Sequence, residues 1–161
     1  MSRVWVVNAS PLILLGKIGR VALLSELADE LIVPDVVVRE IGAKPAGKRL
    51  LAEVAALPGI RIETEVTVPS ELAAWSLGRG ESQVLALAGA APSSRAVLDD
   101  LEARRCAQSI GLPLIGTLGI VLRAKRKGLV EAARPIIEHL RRVGLYASDQ
   151  LVERALSHLG E

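Results

Sequence analysis

A chain of 161 residues, half of them hydrophobic and a quarter charged, is long enough to bury a core and too apolar to be disordered. Its single cysteine excludes an intrachain disulfide, and two Trp, one Tyr and no Phe argue against an aromatic platform for stacked bases. A formal net charge of +2 is too mild to indicate a nucleic-acid partner by itself.

The first element is VWVV (4–7), a continuous apolar run of the kind that forms a buried strand. It meets Asn8, the only asparagine in the chain, and then Ala9-Ser10-Pro11, where Ser10 as N-cap and Pro11 at the first helical position predict a helix start. A second helix is expected over about 20–28. LIV (31–33) reads as another buried strand stopped by Pro34-Asp35. VVVREI (36–41) is ambiguous, because valine favours strands while Pro34-Asp35 resembles a helix start. We assign a helix, since a further strand so close would leave no crossover. Gly47 to Leu57 has helical spacing and ends at Pro58-Gly59, and IRIE (60–63) alternates like an edge strand.

Gly80-Glu81-Ser82 opens a helical segment, AVL (96–98) is a buried strand running into Asp99-Asp100, and residues 100–110 are helical with Gly111 after them. LPLI (112–115) is a short strand, Thr117 caps a helix ending in RAKRKG, and helices over about 130–143 and 148–159 complete the chain. The alternation predicts one α/β domain over 1–161, a doubly wound parallel sheet flanked by helices with the C-terminal pair packed on it. The longest uncharged stretch, Cys106 to Leu122, holds Gln, Ser, Thr, Pro and Gly, so it reads as loop, strand and loop rather than a membrane helix. With no leader pattern at the start, the expectation is a cytoplasmic protein without a membrane partner. Cys106 is expected in the core, and His139 and His158 on the surface.

Ligands bind open parallel sheets outside the carboxyl ends of the strands. Two predicted strand ends carry polar residues there, Asn8 and the pair Asp99-Asp100, and Glu40 and Glu81 lie on helices able to reach the same edge. Such oxygen ligands suit Mg²⁺ or Mn²⁺, since a cation relieves repulsion between close carboxylates and activates water against a phosphodiester. Each residue also has an ordinary role. Glu81 favours a helix macrodipole, Glu40 suits a solvated face, Asp99 or Asp100 caps a helix, and Asn8 fits an Asx turn.

The order and spacing of these stretches resemble the PIN-domain ribonucleases, many of them toxins of toxin–antitoxin pairs. A strand ending in Asp-x-Ser corresponds to Asn8-Ala9-Ser10; the acid after the second strand's Pro to Glu40 in VPDVVVREI; the acid opening a mid-chain helix to Glu81 in GESQVLALA; and the acid ending the next strand to Asp100 in VLDDLEAR, with Asp99 beside it. LPLIGTLGIVLRAKRKGLV looks like a subgroup with a Gly-Thr-Leu-Gly turn. The resemblance implies Mg²⁺- or Mn²⁺-dependent cleavage of single-stranded RNA. Glu40, Glu81, Asp100 and Asp99 would be catalytic, and Asn8, Glu40, Glu81 and Asp100 would hold the metal. Ser10 and Thr117 would sit at the pocket rim. It also implies a homodimer and an antitoxin partner.

The family pattern has Asp where this chain has Asn8, which removes one negative charge. The alternative reading is therefore an RNA- or protein-binding module with a weakened or inactive metal site. Arg104, Arg105, Arg123, Lys125 and Lys127 are candidate RNA phosphate contacts, although basic residues before Gly128 also suit a helix C-terminus. A phosphoacceptor receiver fits poorly, because its acidic pair follows the first strand and a Lys follows a late one. A dinucleotide site fits poorly because Gly78-Arg79-Gly80 lacks a third glycine and a preceding strand.

Overall fold

The computed structural model describes residues 2–161. Five parallel strands form one sheet: β1 (Val4–Val7), β2 (Glu30–Pro34), β3 (Ile60–Glu63), β4 (Ser94–Val97) and β5 (Leu114–Ile115). Their spatial order is β3-β2-β1-β4-β5, so β1 is central and the strand order reverses between β1 and β4. Val6 lies in register with Ile32 on one side and Ala96 on the other. The central strands are apolar on both faces because helices cover both, as right-handed crossovers on either side of the reversal require.

The helices α1 (Ala9–Lys17) and α2 (Ala22–Leu27) follow β1, and α3 (Asp35–Gly42) and α4 (Pro45–Ala55) follow β2. The short α5 (Ser70–Ala73) and the longer α6 (Arg79–Ala90) lie between β3 and β4. Then come α7 (Leu101–Ser109), α8 (Thr117–Arg126), α9 (Arg134–Arg142) and α10 (Asp149–Ser157). One hydrophobic cluster runs from Trp5 and Val6 through Leu85, Val97 and Ile120 to Ile137, Leu140 and Leu156, so the two C-terminal helices share the core of the sheet. Cys106 is buried, His139 and His158 are exposed, and Gly111 takes the positive φ of +71° expected after a helix. Residues 35–42 are helical, in line with the choice between strand and helix made above.

Two helix starts differ from expectation. α1 begins at Ala9, with Asn8 rather than Ser10 in the N-cap position, because the Asn8 amide still donates to the Val97 carbonyl (3.1 Å) and the strand runs straight into the helix. Similarly, Gly116 rather than Thr117 holds the N-cap position of α8. In both cases the hydroxyl expected to cap is bonded elsewhere, to Asp99. The four-residue α5 is too short for its apolar periodicity to register in the sequence. No helix among the described residues is long and apolar enough to cross a membrane.

Candidate active site

The strand order reverses between β1 and β4, the place where open parallel sheets form a crevice at the carboxyl ends of their strands. Asn8 directly follows β1 and is only 3% exposed, and Asp99 follows β4 by two residues. Around them two groups of polar side chains assemble.

The first group is Asn8, Glu40 and Glu81. Asn8 Nδ2 donates to Glu81 Oε1 at 3.2 Å. Asn8 Oδ1 is buried and has no hydrogen-bond partner. What it faces is shown by Gly80, in the first turn of α6. A Cβ at that position would lie 2.8 Å from Glu40 Oε1 and 3.1 Å from Asn8 Oδ1, so the two oxygens border the same small space. The Gly80 amide, a free N–H in the first turn of a helix, lies near enough to the Glu40 carboxylate to favour its charged form. The Glu40 residue is exposed as a whole. Even so, partial desolvation and then the neighbouring Glu81 charge push its pKa up, against the opposing pull of the Gly80 amide. Gly80 borders the candidate site and is a position that reading the sequence for acids missed. The available signal was a glycine one residue before Glu81, where a helix would tolerate a better former.

The second group surrounds Asp99. Its Oδ1 accepts from the Thr117 amide (2.7 Å), and its Oδ2 accepts from the hydroxyls of Thr117 (2.6 Å) and Ser10 (3.1 Å). Thr117 is fully buried, so the carboxylate is locked against the N-terminus of α8. A Cβ at Gly116 would lie 2.7 Å from an Arg104 guanidinium nitrogen and 3.1 Å from Asp99 Oδ1, which puts Arg104 at the same end of the crevice. Asp100 does something different. It is exposed, and its Oδ2 accepts from the Ala103 amide at 2.9 Å as the N-cap of α7.

Glu65, in the extended segment after β3, ties the two arms of the first group together. It pairs with Arg39, beside Glu40 (3.5 Å), and with Arg79, beside Gly80. Ionic contacts one residue away thus bridge α3 and α6 on the exposed surface, and both guanidinia are engaged there.

The basic residues separate. Arg104 stands by Asp99, whereas Arg105 pairs with Glu102 on the surface of α7. Thr117 at the crevice starts α8, and Arg123, Lys125 and Lys127 follow toward its other end, about 9, 12 and 15 Å along the axis at 1.5 Å per residue. The structure therefore does not bring that run beside Arg104. The Cys106 thiol is buried and its pKa is pushed up, which makes it inert rather than nucleophilic.

The residues present suit a divalent cation at one point: an acceptor oxygen of Asn8 without a donor, bordering the same space as a carboxylate oxygen of Glu40. The set is lean. Among the described residues no three Asp, Glu, His or Cys side chains gather closely enough to hold a metal ion, which is consistent with an amide at position 8 and with Asp99 already accepting three hydrogen bonds.

These features define a parallel α/β protein whose polar crevice lies at the topological switch point of its sheet. The chain belongs to the PIN-domain family: the family model described as DUF3368: PIN domain matches residues 4–161. This membership places it among nuclease-type proteins that act on nucleic acid, which typically use divalent metals. None of the curated proteins matches the chain.

Proposed function

We propose that the protein is a Mg²⁺- or Mn²⁺-dependent ribonuclease acting on single-stranded RNA, working as one unit over 1–161. The observation that carries this reading is the buried, unpartnered Oδ1 of Asn8 beside the Glu40 carboxylate, at the sheet's switch point. Asn8 Oδ1, Glu40 and Glu81 would hold the metal, which when bound would activate water and offset charge on the phosphodiester.

The chain's own groups supply the rest. The N-terminal turn of α6 favours negative charge beside it, and the Gly80 amide favours the charged form of Glu40. Asp99 is assigned to the site and Asp100 to capping α7. Asp99 carries its charge next to Arg104 and holds Ser10 and Thr117 at the rim. Arg104 is placed to take a phosphate oxygen of the RNA. A cytoplasmic homodimeric toxin held by an antitoxin is the biological setting that the family resemblance supports.

A second reading is favoured by the hydrogen bond from Asn8 Nδ2 to Glu81. It stabilises one carboxylate without any metal, as suits a binding module with a weakened centre. Incubating a mixed RNA pool with Mn²⁺ or Mg²⁺ separates the two. We expect cleavage by the wild type that chelation abolishes and Asp99→Asn strongly reduces. RNA retained intact by the wild type in both metals would select the binding module.

A further inference from the structure

The edge of the sheet opposite the acidic crevice collects guanidinium groups. Arg3 immediately precedes β1, and Arg95 lies in β4 in direct register with Trp5. Residues 3 and 5 share one face of the strand, and laterally paired residues such as 5 and 95 also point the same way. Arg3, Trp5 and Arg95 therefore occupy one face. Against that face, at the C-terminal end of α8, the Arg123 guanidinium carbon sits 6.0 Å from the centre of the Trp5 ring, which is 2% exposed. Arg126 lies one helical turn further along on the same side.

These four cations are poorly balanced. Asp29 bonds Arg3 through both side-chain oxygens, and Arg95 donates to the Leu114 carbonyl (3.2 Å). Among the described residues neither Arg95, Arg123 nor Arg126 enters an ion pair. Burial and then the charges of Arg95, Arg126 and Arg3 push the Arg123 pKa down, so the like charges are close enough to repel. The carbonyl end of α8 offsets part of this charge, but the macrodipole amounts to about half an elementary charge.

We propose that Arg3, Arg95, Arg123 and Arg126 form a second phosphate site, which holds the backbone of the RNA at the edge of the sheet remote from the acidic crevice. The proposal rests on the ribonuclease reading for its choice of ligand. Guanidinium forks match phosphate oxygens in geometry and charge. Arg95 and Arg123 are half-buried against Trp5, where a thin flexible strand reaches them and a flat anionic membrane does not. Along α8 the Arg123 and Arg126 backbones lie about 9 and 14 Å beyond Thr117 at the crevice, so only RNA of several nucleotides can occupy both sites. Binding there would select long substrates and leave the chemistry at the crevice untouched.

The test measures binding of a fluorescent twelve-nucleotide RNA in EDTA over a range of salt concentrations, so that no cleavage enters the readout. Each phosphate contact contributes about 0.7 to the slope of log K against log salt for single strands. The Arg95→Gln/Arg126→Gln variant is expected to lower the slope by about 1.4 and to weaken binding roughly tenfold at low salt, with Arg126→Lys close to wild type. Metal-dependent cutting of a dinucleotide, which engages the crevice alone, is expected to be unchanged in the double variant. An unchanged slope, a wild type that binds no RNA, or an arginine effect seen only with anionic lipid vesicles would overturn the proposal. Failure of the ribonuclease reading shows separately, as wild type that cuts neither RNA length in Mn²⁺ while the slope in EDTA still reports on the arginines. Unfolding curves of each variant verify that Trp5 remains buried.

Discussion

Asn8 donates to Glu81 through its amide nitrogen while its amide oxygen lies buried beside Glu40 without a donor. One side chain thus stabilises one carboxylate and leaves an acceptor facing the other. Replacing it by Asp removes the donor and adds a charge between two acids. In metal-free protein Asn8→Asp is expected to lower stability by about 1–3 kcal/mol, the cost of a lost bond to a charged group. Mn²⁺ should restore the Tm and raise the rate of RNA cleavage. Thermal melts with and without Mn²⁺ measure both parts; a Tm insensitive to the metal would show that position 8 holds none.

A Cβ at Gly80 would lie 2.8 Å from Glu40 Oε1 and 3.1 Å from Asn8 Oδ1, so a methyl there must push the end of the Glu40 side chain aside. On an open helix Gly→Ala stabilises by about 1 kcal/mol. Because the Glu40 carboxylate ends a flexible side chain, Gly80→Ala is expected to gain less than that in chemical denaturation and to abolish any metal-induced rise in Tm, since its methyl displaces Glu40 Oε1.

The adjacent acids Asp99 and Asp100 separate by partner. Asp100→Ala loses a helix cap and should cost about 1 kcal/mol while leaving cleavage near wild type. Asp99→Asn keeps the volume but loses an acceptor for the Thr117 amide and hydroxyl and for Ser10. Cleavage is expected to fall by two orders of magnitude or more, read as kcat against an RNA of fixed length. The reverse ranking would assign the site to Asp100.

Glu40 and Glu161 give opposite pH signatures. Desolvation and Glu81 raise the Glu40 pKa, so its contribution to stability is greatest below its ordinary value near 4.5 and is lost as the pH rises through the raised one. Glu40→Gln is therefore expected to raise the Tm of metal-free protein at neutral pH and to change it little in acid.

The Glu161 carboxylate accepts from the Ala133 and Arg134 amides (2.7 and 3.1 Å) at the start of α9, and these bonds lower its pKa. Its contribution is present above 4.5 and is lost as the pH falls through the lowered value. Glu161→Gln should cost about 1 kcal/mol at pH 7 and progressively less in acid, as followed by urea denaturation.

The order of elements was legible in the sequence because their signals are local. VWVV and LIV are apolar on both faces, as strands beneath two helical layers must be, and Pro34-Asp35 was enough to turn three valines into a helix start. The candidate acids were legible because each falls at a strand end or a helix start. For Asp99 and Asp100 the family spacing points to Asp100 as the metal ligand, but local pattern does not separate their roles. They are neighbours at the same strand end, and their division depends on where Thr117, 18 residues from Asp99, presents its amide and hydroxyl. The same holds for the basic run at 123–127, whose charge is plain in the sequence but whose place at the far end of α8, with Arg123 over Trp5, is set by how that helix packs across the sheet. Sequence by itself determined which residues carry charge and which elements they sit on, through short-range periodicity and capping. Only the tertiary structure decided which charges meet, because carboxylate, hydroxyl and guanidinium partners are set by distances across the sheet that no local pattern encodes.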